Sequence, residues 1–342
     1  MTVKELEEKV LRGDEITREE ALFLYDQPLK PLTEAANRIR KHFCGNRFDL
    51  CTIINAKSGN CPENCKFCAQ SAHSKTQAET YGLLPMDEIV EKARSDYEKG
   101  VLRYSLVTSG RRLTDEEVDY LCEVTRRICR EVGISVCASL GLCTEEQYRR
   151  LRNAGMTRIH NNLETSRNHF KEICTTHSFD DKCEAIRAAR AAGMSICSGG
   201  IVGLGESVED RIDMAISLRE LQVKSVPVNM LNPIPGTPLE NLPRLTQEDM
   251  ERIVAVYRFL LPDASIRLAG GRGLMQDKGR SLWKSGANAT ISGDMLTTQG
   301  ITVAKDLEML DELGYEPGLC NDEVLATAVE EEKATATTGM EA

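Results

Sequence analysis

Short apolar runs alternate with longer charged segments from Phe48 to about residue 315. The runs are FDLCTIINA (48–56), LRYSLVT, ISVCASL, RIHNNLE, SICSGGIVG, SVPVNML, SIRLAGG and ATISGDML. Helix signals lie near residues 86–99, 114–131, 144–153, 180–192, 207–221, 246–260 and 301–313. Strand–helix alternation of this kind predicts parallel βαβ units. Eight units predict an α/β fold with a complete TIM-type (β/α)8 barrel, and a doubly wound open sheet is the structural alternative.

The segments on either side of this alternation differ from it. Residues 1–47 lack strand signals and predict an N-terminal helical lead-in, with Thr17 placed as a helix cap. We assign residues 48–318 to one catalytic barrel. Residues 319–342 end in EEEKATATTGMEA, a polar composition that predicts a disordered C-terminal tail.

Composition narrows the class of protein. The 342 residues carry a formal net charge of −10, which argues against a nucleic-acid partner. No apolar run reaches the length of a membrane span, and the charged first residues lack the apolar core of a signal peptide. These features predict a cytoplasmic protein with no membrane partner. The 13 cysteines do not suggest a disulfide framework, so metal ligation, redox chemistry and core packing are the alternatives.

Three of these cysteines lie within eight residues, directly after the first strand run. Cys61, Cys65 and Cys68 have the spacing C-x3-C-x2-C. Three close thiolates can hold a cubic iron–sulfur cluster and leave its fourth iron open to another ligand. A zinc knuckle or a chance cluster is the alternative, although structural zinc sites prefer paired C-x2-C units with a fourth ligand. In a parallel barrel, this loop would lie on the catalytic face.

Other chemically informative residues fall at the strand runs. Cys137 and Cys197 lie inside two of them, and each taken singly is more typical of a small core residue than of a ligand. Arg267 lies in the seventh run, where burial of its charge requires a compensating anion or metal site. The polar segment 160–166 and Asn229 offer hydrogen-bond donors and acceptors suited to a ribose or ureido group. The alternative for segment 160–166 is a polar loop that caps the next helix, and the alternative for Asn229 is a hydrogen bond to the loop backbone.

The motifs together resemble a known family. The cysteine motif, with Phe67 before its last Cys, resembles the radical S-adenosylmethionine enzymes. From about residue 30 to 315 the chain is similar to the biotin synthase family among them. The matching motifs are NCPENCKFCAQS (60–71), HNNLETS (160–166), CSGGIVGLGE (197–206), VPVNML (226–231), GTPL (236–239), IRLAGGR (266–272) and GAN (286–288).

This resemblance implies a reaction and its cofactors. Cys61, Cys65 and Cys68 would hold a 4Fe–4S cluster whose open iron chelates S-adenosylmethionine. Reductive cleavage would give a 5′-deoxyadenosyl radical, which removes hydrogens from carbons 9 and 6 of dethiobiotin. Sulfur from an auxiliary iron–sulfur cluster would then close the ring of biotin. A reduced flavodoxin or ferredoxin as electron donor and a homodimer are further family expectations.

The resemblance also assigns residues to the two small molecules. Asn162 and Glu164 match residues that contact the adenosyl ribose, and Asn162 also faces the substrate. Asn229 matches a residue at the ureido group of dethiobiotin, and Gly203 is assigned to cofactor binding. Lys182 stands where the family usually has an Arg for the methionine carboxylate. Lys keeps the charge of Arg but loses its bidentate fork.

The auxiliary cluster is where the chain departs from familiar members, which hold a 2Fe–2S cluster with three Cys and one Arg. Cys137, Cys197 and Arg267 match three of those ligands, but Ser105 occupies the fourth position. Cys51 stands where familiar members have a Ser near that cluster. Our hypothesis is that Cys51 replaces the lost thiolate in a rearranged cluster of a different, larger type. Cys44 is a less favoured extra ligand, and core packing is the alternative role of Cys51.

Two other classes of function remain open from the sequence. A related radical enzyme, similar to hydrogenase maturases or methylornithine synthase, would share the barrel and the first cluster. It should lack the set formed by Cys137, Cys197 and Arg267. A non-catalytic iron–sulfur or zinc protein would not cleave S-adenosylmethionine at all.

Overall fold

The computed structural model describes residues 1–321, which form a closed parallel barrel. Its strands are β1 (Arg47–Lys57), β2 (Arg103–Thr108), β3 (Ser135–Ser139), β4 (Arg158–His160), β5 (Ser195–Cys197), β6 (Gly200–Val202), β7 (Ser225–Met230), β8 (Ser265–Leu268), β9 (Ala289–Ile291) and β10 (Glu316–Pro317). The pairing order is β1-β2-β3-β4-β5-β7-β8-β9, and β9 pairs again with β1. This closure confirms the predicted (β/α)8 barrel and excludes the open sheet, which would have two free edges. Strand β6 follows β5 and pairs with β7.

Helices surround the strands. They are α1 (Val3–Leu11), α2 (Arg18–Tyr25), α3 (Leu29–Cys44), α4 (Met86–Glu98), α5 (Asp115–Glu131), α6 (Glu145–Asn153), α7 (Phe170–Ile173), α8 (Phe179–Ala191), α9 (Val208–Glu220), α10 (Gln247–Leu260), α11 (Arg280–Lys284) and α12 (Val303–Leu313). Six of them, α2, α5, α6, α8, α9 and α10, begin with a capping box. In each, a Ser or Thr side chain and an acid or Gln three residues later satisfy two backbone N–H groups. This local chemistry is why the predicted helix starts agree with the structure to within a residue or two.

The N-terminal helices pack on the outside of the barrel. Helix α3 contacts α10, and α1 contacts α3. The buried side chains Leu32, Ala35, Ala36 and Ile39 recur at spacings of three and four residues, which places them on one face of α3. Small alanines on that face allow the close approach of a neighbouring helix.

The end of the described chain closes the bottom of the barrel, opposite the cysteine loop. Glu316 N–H donates to Asn46 O at 2.9 Å and extends the sheet beside β1. Cys320 N–H donates to Asp49 Oδ2 at 3.2 Å, and Asn321 Nδ2 donates to Ser265 Oγ at 2.9 Å. Cys320 and Asn321, which the sequence assigned to the tail, thus make hydrogen bonds to the barrel. The rest of that tail lies outside the described residues.

Candidate active site

The three cysteines of the cluster motif lie on a loop that leaves the barrel after β1. Cys61 N–H donates to Gln70 O at 3.1 Å, and Ala72 N–H donates to Cys61 O at 2.8 Å, which closes the loop on itself. Cys68 N–H donates to Cys65 O at 3.0 Å. All three thiols are free and partly buried. Burial raises the pKa of Cys68 to about 11, so metal binding rather than the protein alone must supply its thiolate.

A second loop, between α7 and α8, holds the cysteine loop from the side. Asn64 Oδ1 accepts hydrogen bonds from Thr175 N–H at 2.9 Å and Thr176 N–H at 3.3 Å. Lys66 N–H donates to Ile173 O at 3.0 Å. Side-chain and backbone contacts thus fix the two loops relative to each other.

This second loop brings an additional thiol to the cysteine motif. Cys174 Sγ lies 3.7 Å from Cys65 Sγ and 3.3 Å from His177 Nδ1. The same His177 nitrogen donates to the Glu63 carboxylate in a short hydrogen bond. In the metal-free protein, contact with Cys65 lowers the pKa of Cys174 to about 3 and raises that of Cys65. Cys174 was not among the predicted ligands, although its C-x2-H spacing to His177 is visible in the sequence.

A cavity of about 310 Å³ opens beside the cysteine loop at the C-terminal end of the barrel. This volume suits a small-molecule site. Its polar lining includes several of the predicted residues, namely Asn162, Glu164, Lys182 and Asn229, together with Cys68, His160 and Asn161. Apolar side chains such as Ile53, Val107 and Ile291 line the same space. The structure therefore brings the predicted ribose and ureido contacts into one cavity.

The Asn162 amide is fixed by three contacts. Its Oδ1 accepts from His160 Nε2 at 2.7 Å and from Gly199 N–H at 3.1 Å, and its Nδ2 donates to Glu164 Oε2 at 3.3 Å. Burial lowers the pKa of His160 to about 4, so its imidazole is neutral near pH 7. Glu164 has a φ of 71°, a conformation that costs energy for a residue other than glycine and is concentrated at functional sites.

Asn229 and Lys182 complete the polar lining. Asn229 Nδ2 donates to Gly200 O at 3.0 Å, and its Oδ1 accepts from Gly270 N–H at 2.8 Å. Each end of this amide retains a further hydrogen-bonding position. Lys182 Nζ donates to Asn161 Oδ1 at 3.2 Å. Burial raises the pKa of Glu164 while the charge of Lys182 opposes that shift, so the two groups are close enough to interact.

The glycine-rich segment 199–206 serves packing more than ligand contact in this structure. A Cβ atom on Gly200 would lie 2.4 Å from Glu164 O, which only a glycine avoids. Gly203 has a φ of 94°, and its N–H donates to Glu206 Oε1 at 2.8 Å. Among the described residues, the cavity lining includes Ile201 but not Gly203. The assignment of Gly203 to cofactor binding stays a prediction.

Cys51, Cys137 and Ser105 meet inside the barrel. Parallel pairing of β2 with β3 places Ser105 opposite Cys137. Interaction with the Cys51 thiol lowers the pKa of Cys137 to about 6, and the pKa of Cys51 is raised well above its usual value. Ser105 contributes to the lowering of the Cys137 pKa. Cys51 thus lies next to a predicted ligand of the auxiliary cluster, on the strand beside Ser105.

Arg267 and Cys197 share this interior. Ser225 Oγ donates to Cys197 Sγ at 3.3 Å. Arg267 Nη2 lies 2.9 Å from Asp49 Oδ1, and its Nη1 donates to two backbone carbonyls. Burial alone would lower the pKa of Arg267, but Asp49, Cys51 and Cys197 together raise it. The guanidinium therefore lies between a carboxylate and the buried thiols.

Asp49 and two further arginines form a floor beneath the thiols, which the sequence analysis missed. Arg103 Nη2 lies 3.5 Å from Asp49 Oδ2, and Arg158 Nη1 lies 3.9 Å from the same atom. Arg158 Nη2 also donates to Cys320 O and Asn321 O, at 3.1 and 2.7 Å. All three charged side chains are buried. The signal in the sequence was a charged residue within each of three apolar strand runs, since burial of a charge is costly unless it pairs with another.

The remaining cysteines lie elsewhere. Cys44 Sγ is 3.4 Å from Arg258 Nη1 and 3.8 Å from Pro262 O, at the end of α10. It hydrogen-bonds to neither Cys137 nor Cys197 within residues 1–321. Cys122, Cys143 and Cys183 pack in the hydrophobic core. The structure therefore supports Cys51 more than Cys44 as the thiol that accompanies Cys137 and Cys197.

Comparison with known proteins agrees with this geometry. The family model described as Radical SAM superfamily matches residues 56–218, and that of the Biotin and Thiamin Synthesis associated domain matches residues 227–316. The biotin synthase of Brachyspira hyodysenteriae is 57% identical over 322 residues, which cover 94% of this chain and 97% of that protein. Biotin synthase 2 of Corynebacterium diphtheriae is 56% identical and covers 92% and 96%.

Solved structures match the fold. The crystal structure of methylornithine synthase superposes with a TM-score of 0.80, covering 92% of this chain and 97% of that one, at 22% identity. A likeness at this identity shows a shared barrel and no shared activity. Through residue 321, no helix combines the length and apolar character that crossing a lipid bilayer requires.

Proposed function

Because this chain belongs to the biotin synthase family of radical S-adenosylmethionine enzymes, we propose that its barrel cavity is where dethiobiotin becomes biotin. The observation that carries the proposal is the order of groups within one barrel. The cysteine loop lies at the rim, the amides of Asn162 and Asn229 line the cavity, and buried thiols lie inside the barrel with Arg267. A radical source, a substrate site and a sulfur source would thus be adjacent.

The cysteine loop fits the first cluster by its donor set. Cys61, Cys65 and Cys68 are free thiols on one closed loop, and Cys68 lines the cavity. They would hold a 4Fe–4S cluster that binds S-adenosylmethionine and supplies the 5′-deoxyadenosyl radical. The apolar side chains of the cavity would exclude water from the reacting atoms.

The polar side chains would orient the two small molecules. Asn162 and Glu164 are proposed to contact the adenosyl ribose, and Lys182 to pair with the methionine carboxylate. Asn229 is proposed to contact the ureido group, which needs both a donor and an acceptor. Because backbone groups already hold the amides of Asn162 and Asn229, little side-chain entropy is lost when a ligand binds.

The second donor set fits an auxiliary cluster in a changed form. Cys51, Cys137 and Cys197 are buried thiols that interact with one another or with Arg267. Arg267 Nη2 is sealed from solvent and lies 2.9 Å from Asp49 Oδ1 without a well-aligned hydrogen bond. A buried guanidinium nitrogen of this kind suits a sulfide or thiolate partner. We assign Cys51 as the thiolate that substitutes for the one lost at Ser105, in a cluster other than the 2Fe–2S type.

The test of the function is turnover by reconstituted enzyme. The protein would be loaded with iron and sulfide without oxygen, reduced, and given S-adenosylmethionine with dethiobiotin. We expect 5′-deoxyadenosine and biotin as products. Cleavage without biotin would favour another radical enzyme, and no cleavage under any condition would overturn the proposal.

Cys51→Ala tests the auxiliary ligand separately. We expect this variant to keep the first cluster and to form 5′-deoxyadenosine, while it loses the auxiliary cluster and at least tenfold of biotin formation. Iron and sulfide analysis with Mössbauer spectroscopy reads the clusters directly. Cys122→Ala is the matched control, since Cys122 is a buried thiol of the core. Full retention of both clusters in Cys51→Ala would contradict the assignment.

The proposal extends to partners on the family resemblance alone. It includes a reduced flavodoxin or ferredoxin as donor, a homodimeric assembly and a location in the cytoplasm. Titration of turnover against each reduced donor and sedimentation of the reconstituted enzyme test the first two. Poor reduction by both proteins would reject that donor class.

A further inference from the structure

Asn161 lies directly after β4 and lines the cavity beside Lys182. Its side chain is buried, and its backbone N–H donates to Cys197 O at 3.0 Å. The amide Nδ2 donates to Gly141 O at 3.3 Å, and Oδ1 accepts from Lys182 Nζ at 3.2 Å. A carbonyl oxygen only accepts and an ammonium group only donates, so these partners fix which end of the amide faces Lys182. Asn161 is therefore a fixed acceptor for the ammonium group.

Lys182 reaches the cavity from a position near the N-terminus of α8. A cation is not favoured there, because the N-terminal end of a helix carries partial positive charge. The carboxylate of Glu164 lines the same cavity, within range of the Lys182 charge. Within residues 1–321, however, the ammonium group hydrogen-bonds to Asn161 and forms no ion pair with Glu164. Asn161 thus holds the lysine in a position from which a ligand can use its charge.

We infer that Asn161 is a positioning residue, which holds Lys182 ready for the methionine carboxylate of S-adenosylmethionine. The inference rests on the proposed role of Lys182. An ammonium group has three N–H donors, so two remain for the carboxylate when one is held by Asn161. Lysine has a flexible stem and lacks the planar fork of arginine. A fixed acceptor beside it lowers the conformational entropy that is lost when the carboxylate binds. Asn161 would thus supply part of the order that an arginine carries within its own side chain.

Asn161→Leu removes the acceptor and keeps a side chain of similar size. Gly141 O stays satisfied in this variant, because Tyr148 Oη also donates to it at 3.2 Å. The measurement is equilibrium dialysis of S-adenosylmethionine against reconstituted, unreduced enzyme, which gives Kd without turnover. We expect Kd to rise about fivefold, which corresponds to the loss of one hydrogen bond of ordinary net strength. The Kd for decarboxylated S-adenosylmethionine should not change, because that ligand has no carboxylate for Lys182 to bind.

The same substitution in two Lys182 backgrounds separates positioning from a general effect on the fold. In Lys182→Met, Asn161→Leu should weaken binding no further, because there is no ammonium group to hold. In Lys182→Arg, its effect should be smaller than in the unmodified enzyme, since the arginine fork needs less support. Asn37→Leu is the matched control, because the Asn37 amide also accepts from a cation, Arg40 Nε at 2.9 Å, but on α3 outside the barrel. Its Kd should equal that of the unmodified enzyme.

The Lys182→Met variant alone distinguishes failure of the proposed function from failure of this inference. An unchanged Kd in Lys182→Met would reject the proposed role of Lys182, and the positioning role with it. A raised Kd in Lys182→Met, together with no effect of Asn161→Leu or an equal effect in all three backgrounds, would reject the positioning role alone. Iron and sulfide are measured in each variant before dialysis. If Asn161→Leu does not assemble the first cluster, Asn161→Ala carries the same comparisons.

Discussion

The buried carboxylate of Asp49 offers a strong test of how the interior of the barrel is stabilised. Its Oδ1 lies 2.9 Å from Arg267 Nη2, and its Oδ2 lies 3.5 Å from Arg103 Nη2 and 3.9 Å from Arg158 Nη1. At an effective dielectric constant of about 20, each contact contributes roughly 4–6 kcal/mol of Coulomb attraction before desolvation is subtracted. Burial alone would raise the pKa of Asp49, but the three guanidinium groups outweigh burial and lower it. The carboxylate is therefore ionised throughout the neutral range.

Asp49→Asn keeps the shape of this side chain and removes its charge. Removal of one partner of a buried ion pair costs about 3–5 kcal/mol, because the guanidinium of the other partner stays buried without that negative charge beside it. We expect that loss in the free energy of unfolding, measured anaerobically on reconstituted protein by denaturant titration with circular dichroism. The loss should be constant above about pH 6. A lowered pKa contributes stability that is complete above the unfolded value near 3.8 and disappears only as pH falls through the folded value.

The matched control for this prediction is a surface ion pair. Asp263 pairs with Lys224, and both side chains are about half exposed. Asp263→Asn should change the free energy of unfolding by less than about 1 kcal/mol, since exposed pairs are screened by water. An Asp49→Asn variant within about 1 kcal/mol of the unmodified protein would refute the reasoning, and would mean that other groups neutralise the arginines.

Two further predictions concern the cavity. Lys182→Met should raise the KM for S-adenosylmethionine roughly tenfold or more, because a charge-assisted hydrogen bond contributes about 1.5–3 kcal/mol. Lys182→Arg should retain most of the affinity. Equal KM values in the Met variant and the unmodified enzyme would mean that Lys182 does not bind the methionine carboxylate. Burial lowers the pKa of His160 to about 4. Below about pH 6.5, the unfolded chain therefore binds a proton at His160 that the folded protein does not bind. As the pH falls to about 5.5, this difference should lower the free energy of unfolding by roughly 1–2 kcal/mol. His160→Asn should abolish that part of the pH dependence in denaturant titrations, and an unchanged slope would contradict the assignment.

Much of the fold follows from local sequence, because local chemistry decides it. The eight strand runs and the helix starts are visible as apolar runs and capping boxes, such as Thr114 with Glu117 at α5. Strand β10 was not predicted, since two residues carry no periodicity and pair only because the first two residues of β1 precede its pairing with β9 and β2. The packed position of Cys320 was missed for the same reason. It depends on Asp49, which is distant in sequence.

Some residues of the candidate site could be predicted from local sequence, and others could not. The cysteine motif and the amides of Asn162 and Asn229 could be predicted, because their motifs are contiguous in sequence. The contact of Cys174 with Cys65 could not be predicted, since it spans 109 residues and depends on how the loop after β1 meets the loop after α7. Asp49 was hidden because an acid within an apolar run acquires its meaning only from arginines on other strands.

The thiol that familiar members carry on β2 is a serine in this chain, and Cys51 supplies a thiol on the neighbouring strand β1. In the strand register, Cys51 lies opposite Arg103, whereas Ser105 lies opposite Ile53. Ser105 is therefore one inward-facing position nearer the cavity, about 6.6 Å along the strand. A donor set of Cys51, Cys137 and Cys197 takes its third thiolate from β1, two residues after Asp49, instead of from β2. This change of strand, together with the Ser105 hydroxyl opposite Cys137, is why we expect a cluster of a different and larger type, whose iron count the Mössbauer spectrum will give.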